Sequence, residues 1–424
     1  MKKNILVFPC GSEIALDIHS SVKYSTYFHL IGASSTDDHG RFIFKDYISG
    51  VPYVNDENFI PCLKKIVKER NIDAIYPAMD IAITTIKQHE MELGCKVISS
   101  PKETTEICLS KEKTYETLCN EILTPIIYKE NCLITDFPVF AKPKIGYGAK
   151  GTKKITTQEE LTSFIKGKDD LLILEYLPGE EYTVDCFTNK EGKLLFSAAR
   201  KRNRIKDGIS VNTYFVKDQK EFEIISSKIN EKISFRGAWF YQVKRNKDGQ
   251  LCLLEIASRL GGSSLLSRSI GVNFALLSLF DAFDYNVSIL KNSYSIELDR
   301  ALTNKYKTDI DYDSIYVDFD DCIILDKETI NTTLIQFLYQ CINEQKKIIL
   351  LSKHKGDLIM ELNKFRLCQL FDEIIHIDNN DNKYKYIKSK HAIFIDDSHS
   401  ERYEVANKLN IPVFSPDMID VLIK

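Results

Sequence analysis

Short apolar runs alternate with amphipathic stretches over the first hundred residues. Residues 5–8 form an apolar run ending in Pro9-Cys10-Gly11-Ser12, and a helical pattern follows. Residues 30–33, 74–77 and 96–98 read as further strands, and apolar positions recur with helical spacing over 59–70. Strands alternating with helices predict a parallel α/β sheet. A helical segment over 104–124 stops at Pro125. The pattern then changes to short strands with polar turns, at 139–143, 172–177, 182–187, 194–199, 238–243 and 251–256, with helices at 158–166 and 221–234. That is the signature of an α+β unit built on antiparallel pieces. Residues 265–290 are apolar and helical, and the polar stretch 291–313 is expected to be a linker. Beyond it a second α/β alternation begins: strand 315–317, helix 329–344, strand 347–351, helix 357–365, strand 392–395 and helix 401–409.

Length and composition narrow the class. A chain of 424 residues is too long for one ordinary core, and two to four domains are expected. With 44% hydrophobic and 28% charged residues it is a globular composition, and a net charge of -3 gives no footprint for nucleic acid. The start, Met1-Lys2-Lys3-Asn4-Ile5-Leu6-Val7-Phe8, has too short an apolar run for a signal peptide, with Glu13 and Asp17 following at once. No segment has the length needed to span a bilayer, so no membrane partner is expected. The 11 cysteines are scattered without a Cys-x-x-Cys pair, which suits reduced thiols in a cytoplasmic protein.

The most informative chemistry lies in Phe140-Ala141-Lys142-Pro143-Lys144-Ile145-Gly146-Tyr147-Gly148-Ala149-Lys150-Gly151, where a strand delivers Lys142 into a loop holding Gly146, Gly148 and Gly151. Glycine amides approach anions without a Cβ in the way, and such loops cradle phosphate oxygens while lysines add point charges. A glycine-rich hairpin tip with solvated lysines has the same composition, so the loop alone leaves both readings open. Three further pieces follow in order: Leu174-Glu175-Tyr176-Leu177-Pro178-Gly179-Glu180-Glu181, then Tyr241-Gln242-Val243-Lys244, then Leu254-Glu255-Ile256-Ala257-Ser258-Arg259-Leu260-Gly261-Gly262.

Together these resemble the ATP-grasp superfamily, in its carbamoyl-phosphate-synthase-like and amino-acid-ligase branch, over about residues 1 to 300. The resemblance implies a Rossmann-like pre-ATP-grasp domain over 1–108 and an ATP-grasp domain over 109–300. It implies ATP held by Lys111, Lys142 and the loop glycines, with Glu175 and the Leu177 backbone at adenine and Glu181 at the ribose. Gln242 and Glu255 are the implied ligands for Mg2+, with Mn2+ as an alternative, and Arg259 the implied stabiliser of the transferring phosphoryl group. Arg259 also has the plainer reading of a surface salt bridge. The family pattern Glu-x-Asn-Pro-Arg stands here as Glu255-Ile256-Ala257-Ser258-Arg259, and Ala257 cannot ligate metal. Arg202 and Arg204 in the basic run 200–206, with Gly261 and Gly262, are the implied contacts of small-molecule carboxylate and amine substrates. The implied reaction forms an acyl phosphate and then an amide. Dimers are common among such ligases, so a homodimer is an option.

Towards the C-terminus, Val317-Asp318-Phe319-Asp320-Asp321-Cys322, Leu351-Ser352-Lys353 and Ile395-Asp396-Asp397-Ser398 each place polar groups at a strand end. Carboxylates two residues apart repel unless a cation sits between them. This set resembles the haloacid-dehalogenase-like phosphatases over 312–424. It implies Asp318 as nucleophile, Asp320 as acid/base, Ser352 and either Lys383 or Lys388 at phosphate, Mg2+ held by Asp318, Asp320, Asp396 and Asp397, and a phosphorylated substrate. Cys322 stands where that pattern has threonine.

Overall fold

Apolar runs too short for helices, each bounded by a turn, become strands of four separate larger sheets in the computed structural model, which describes residues 2–128, 134, 136–146, 150–206, 208–301 and 304–423. The N-terminal sheet comprises β1 (Lys3–Phe8), β2 (Phe28–Ala33), β3 (Asp46–Ile48), β4 (Ala74–Pro77) and β5 (Lys96–Val97), all parallel in the order β3-β2-β1-β4-β5. Its central strands are buried on both faces over residues 5–8 and Ala74–Pro77, as parallel strands covered by helices must be, while the edge strand β3 stays exposed to half-buried. Ser12 caps the helix Glu13–Val22 by accepting from the Ala15 amide, which places the Gly11 turn at the C-terminal edge of β1.

A four-stranded antiparallel sheet follows, of β6 (Ile127–Tyr128), β7 (Val139–Pro143), β8 (Lys153–Ile155) and β9 (Leu171–Glu175), in the order β6-β9-β7-β8. Against it stands a seven-stranded antiparallel sheet: β10 (Glu181–Thr188), β11 (Leu194–Lys206), β12 (Ile209–Phe215), β13 (Gly237–Arg245), β14 (Leu251–Ala257), β15 (Ile296–Arg300) and β16 (Asn304–Thr308), in the order β14-β13-β10-β11-β12-β15-β16. Its inner face packs on the helix Lys220–Lys232 through Phe222, Ile229, Trp239 and Tyr241, with Phe235 stacked 4.1 Å from Trp239.

The expected linker over 291–313 is corrected here. β15 and β16 lie within it and extend the large sheet, because Ile296 and Leu298 bury on one side while their charged neighbours stay half exposed. Nor is the last unit loosely tethered: Asn292 Nδ2 donates to Val413 O at 2.7 Å, and Asn273 Nδ2 donates to Ser21 O at 2.8 Å and Asp417 Oδ2 at 2.9 Å. One apolar cluster runs from Ile5 and Val22 through Phe274 and Leu279 to Val317 and Phe414.

The C-terminal sheet is parallel, β21-β20-β17-β22-β23, from β17 (Ser314–Val317), β20 (Lys347–Ser352), β21 (Glu373–His376), β22 (Ala392–Ile395) and β23 (Val413–Phe414). A small hairpin of β18 (Ile324–Leu325) and β19 (Thr329–Ile330) follows Cys322, so the helix expected over 329–344 starts later and spans Thr332–Asn343, capped by Asn331.

Candidate functional sites

The strand that carries Lys142 also buries it. Alternation along β7 sends Val139 and Ala141 to one side and Lys142 to the other, where its ammonium reaches the Tyr115 hydroxyl at 2.7 Å and the Leu254 carbonyl at 2.9 Å. Tyr115 itself donates to Leu254 O at 2.7 Å. Burial of the charge lowers the Lys142 pKa to about 8, with Lys111 adding to the effect and Glu255 opposing it. A cavity of about 100 Å3 opens beside this ammonium, walled by Phe140, Lys142, Glu175, Leu177, Glu181 and Lys244. Four of the residues named from the sequence therefore share one cleft.

Lys111, the first residue of the helix Lys111–Leu118, reaches across to the loop and donates from Nζ to Gly146 O at 2.9 Å. Gly151 has φ +71°, and a Cβ there would lie 3.0 Å from Pro143, so the loop closes on a position that only glycine fills without strain. Gly148 lies outside the described residues.

Gln242 and Glu255 are not among the residues that wall this cleft; their row is set by register. Gln242 pairs with Glu255 across β13 and β14, and with Thr183 across β10, which in turn pairs with Arg200 on β11. Directly opposed residues of antiparallel strands point to one face, so Glu255, Gln242, Thr183 and Arg200 form a row. An amide oxygen and a carboxylate suit a hard divalent cation, so Gln242 and Glu255 fit Mg2+ as a two-residue donor set, with Ala257 adding none. Arg200 is 2% exposed and donates from Nε to Asp185 Oδ2 at 2.7 Å. Gly261 presses on this pair: a Cβ there would stand 2.9 Å from Asp185 Oδ1 and 3.0 Å from Arg200 Nη2. Gly262 accepts a hydrogen bond from Arg300, whose other amine meets Glu13 at 3.0 Å.

The remaining residues named from the sequence divide. Arg202 is buried and pairs with Glu181 at 3.0 Å, beside the cleft. Arg204 is well exposed and pairs with Asp299 at 2.6 Å, away from the row that Gln242 and Glu255 share. Arg259 is held by a fork of two 2.8 Å bonds to Asp80, at the start of the helix Asp80–Gln88. Three participants were not found from the sequence: Tyr115, Arg200 and Asp80. Asp80 had a usable signal, since it follows β4 at the C-terminal edge of a parallel sheet, where ligands bind.

In the C-terminal sheet, Asp318 and Asp396 leave adjacent strand ends, and Lys383 Nζ lies between them, 2.7 Å from Asp318 and 2.6 Å from Asp396. Of the two candidate lysines, Lys383 is buried while Lys388 is exposed. Asp318, Asp396 and Asp397 each offer an oxygen within 4.8 Å of the others, an all-oxygen set that fits Mg2+, whereas Asp320, expected as a ligand, is outside this set and faces His354 instead. Burial, then the charge of Asp318, pushes the Asp396 carboxyl up to about 7 and the Asp397 carboxyl up to about 6. Burial tends to lower the Lys383 pKa, yet the two carboxylates outweigh it and raise it. Ser352 ends β20 fully buried, with its Oγ accepting from the His354 amide at 3.2 Å, and His354 Nδ1 lies 3.0 Å from both Asp320 oxygens. Cys322 is buried with its thiol 3.8 Å from Ile395 O.

Comparison with known proteins places this geometry. A family model described as ATP-grasp in the biosynthetic pathway with Ter operon matches residues 167–300. Solved structures match along most of the chain. The biotin carboxylase domain of Hydrogenobacter thermophilus 2-oxoglutarate carboxylase, in complex with MgADP and bicarbonate, superposes with a TM-score of 0.59 at 17% identity, over 71% of this chain and 74% of that one. Over the matched 71% of the chain the fold is ATP-grasp-like. An L-amino acid ligase from Bacillus licheniformis shares it at a TM-score of 0.58 and 16% identity, covering 70% and 79% of the two chains. So does N5-carboxyaminoimidazole synthetase from Staphylococcus aureus complexed with ADP, at 0.58 and 16%, covering 71% and 83%. In sequence, the large chain of carbamoyl phosphate synthase from Thermoanaerobacter sp. (strain X514) is 23% identical over 210 residues, 44% of this chain. The chain spans only 19% of that relative's length. Among the described residues no helix is long and apolar enough to cross a membrane.

Proposed function

We propose that the chain is an ATP-dependent carboxylate–amine ligase of the ATP-grasp type, with domains over 1–108 and 109–300, joined to a Mg2+-dependent phosphatase-like domain over 312–424. The ligase reading rests on one observation above all: Lys142, Glu175, Leu177 and Glu181, distant in sequence, wall a single cleft. In this reading the Lys142 ammonium neutralises phosphate oxygens, and Glu175 with the Leu177 backbone holds the base. Glu181, oriented by Arg202, meets the ribose. Gln242 and Glu255 hold Mg2+, which when bound offsets charge on the transferring phosphoryl group. Arg259, kept in one orientation by Asp80, presents its remaining charge to the acyl phosphate. Catalysis of this kind is positioning and electrostatic stabilisation, so no nucleophilic side chain is required in the ligase half. The named ligands of the structural neighbours, ADP, MgADP and bicarbonate, agree with a nucleotide in the cleft and a carboxylate-type substrate beside it.

For the C-terminal unit, three carboxylates clustered around Lys383, with Ser352 at the next strand end, support a phosphatase of the haloacid-dehalogenase type acting on a phosphorylated substrate. Asp318 is the nucleophile in this reading and Asp320, tied to His354, the acid/base.

The test is a coupled ADP-release screen of amino acids against carboxylates, sugar acids included, with Mg2+ present, run alongside phosphate release from phosphomonoesters. ADP formation that needs both an acid and an amine, and that Lys142→Ala removes, supports the reading. A second reading, a nucleotide-binding scaffold without turnover, is favoured by Ala257 and Cys322 at positions where the family patterns carry polar groups. Nucleotide binding with no ADP formed across the whole panel would decide for it.

A further inference from the structure

A second and larger cavity, about 490 Å3, lies between the N-terminal sheet and the first residues of β13. It shares no lining residue with the cleft beside Lys142. Its volume is within the usual range of small-molecule sites, roughly 300–1,000 Å3. One side is apolar, from Ile83, Val97, Ile98 and Ala238. The other is cationic: Lys87, Lys96, Lys102, Arg236 and Arg259 line it, against only Glu90 and Asp281. Most of that charge is compensated: Lys87 pairs with Glu90 at 2.6 Å, Lys96 with Asp284 at 3.4 Å, Arg236 with Asp281 at 2.7 Å and Arg259 with Asp80 at 2.8 Å. Arg236 spends Nε and Nη2 on Asp281 and Asp284, which leaves Nη1 uncommitted among the described residues. Lys102 has no acidic partner among them.

We propose that this cavity is a binding site for a small anionic ligand with an apolar body, a carboxylate, sulfonate or phosphate monoester on an aromatic or aliphatic frame. The apolar wall takes the frame by burial. Lys102, the one lining cation without an acidic partner among the described residues, and the open Arg236 Nη1 take the anion. Arg259 lines this cavity, so the ligand abuts the residue that Asp80 clamps. The site does not depend on the ligase assignment and survives its failure.

Anilinonaphthalene sulfonate, an anion on an apolar frame whose fluorescence rises on burial, is the probe. It is titrated into the full chain, with near-UV circular dichroism confirming that the fold is intact. The expected result is saturable binding at one site that Mg·ADP does not displace. Lys102→Glu changes an exposed residue at the start of the helix Lys102–Leu109, where an acid suits the helix dipole, so folding is retained. It should weaken the probe by about fivefold or more. Ala282→Trp, which fills the cavity from the end of the helix Phe274–Ala282, should weaken it at least as much. Absence of saturable binding, an unchanged Kd in either variant, or displacement by Mg·ADP overturns the proposal.

Discussion

Lys142→Met is expected to make the nucleotide-free protein more stable while removing its affinity for nucleotide. The Lys142 ammonium sits 6% exposed, and burial lowers its pKa from the ordinary 10.5 to about 8. That displacement corresponds to about 3 kcal/mol by which the native state disfavours the charged form. The sign follows from proton binding. Below pH 8 the lysine is charged in both states and the cost is fully present. Between about 8 and 10.5 the folded form has lost a proton that the unfolded chain still holds, so stability climbs with pH. Methionine fills the same volume without charge. The lost amine hydrogen bonds cost about 1 kcal/mol net. The Leu254 carbonyl keeps a donor, because Tyr115 still donates to it at 2.7 Å; the Tyr115 oxygen loses the bond it accepts from Lys142 but stays hydrogen-bonded through its proton. The expected gain near pH 7 is about 2 kcal/mol, shrinking as pH approaches 10.5. Urea unfolding at several pH values measures it, and calorimetric titration with Mg·ADP should show an affinity loss of about a hundredfold. A variant less stable than the wild type, or one that binds Mg·ADP undiminished, would refute the argument that this buried charge is kept for an anion.

Asp318→Asn should abolish phosphate release from phosphomonoesters while leaving ADP formation intact, and Lys142→Ala should do the converse; paired assays on both variants check this. Burial raises the Asp396 and Asp397 carboxyls from 3.8 to about 7 and about 6, so the metal-free fold holds protons that the unfolded chain releases, and stability falls as pH rises from about 4 to about 7. Added Mg2+ should therefore raise the melting temperature more at pH 8 than at pH 5, as read by scanning fluorimetry. Asp80→Asn removes the forked partner of Arg259 and should cost about 2 kcal/mol of stability together with a fall in kcat at little change in nucleotide KM, measured by unfolding and steady-state kinetics.

What could be read from the chain depended on whether the information was local. Strands β1, β4, β10, β13 and β14 are apolar runs bounded by turns, and the sequence pattern located each to within a residue or two. The extension of β11 through Arg200, Lys201 and Arg202, and the strands β12, β15 and β16, were missed. The β11 extension, β15 and β16 are rich in Lys, Arg and Asp in sequence, the composition of a solvated loop, while β12 is interrupted by Ser210, Asn212 and Thr213. Lys142, Glu175 and Glu181 were visible because each stands at a strand end beside glycine or proline. Gln242 and Glu255 were named as well, but their extension into a row with Thr183 and Arg200 was not, since it exists only through the pairing register of four strands. Arg259 was named but its partner was not, because Asp80 lies 179 residues away. Spacing alone also left Lys383 and Lys388 equivalent; the short 3-10 turn Lys383–Tyr386 is what turns the first inward between Asp318 and Asp396.

A crystal structure of the full chain with Mg·ADP puts the account to its most direct test. The account predicts phosphate density within hydrogen-bonding reach of Lys142, the base against Leu177 and Glu175, and a metal touching Gln242 or Glu255. Nucleotide density anywhere else, including the cavity beside Arg236 and Lys102, with the Lys142 cleft left empty, would contradict it.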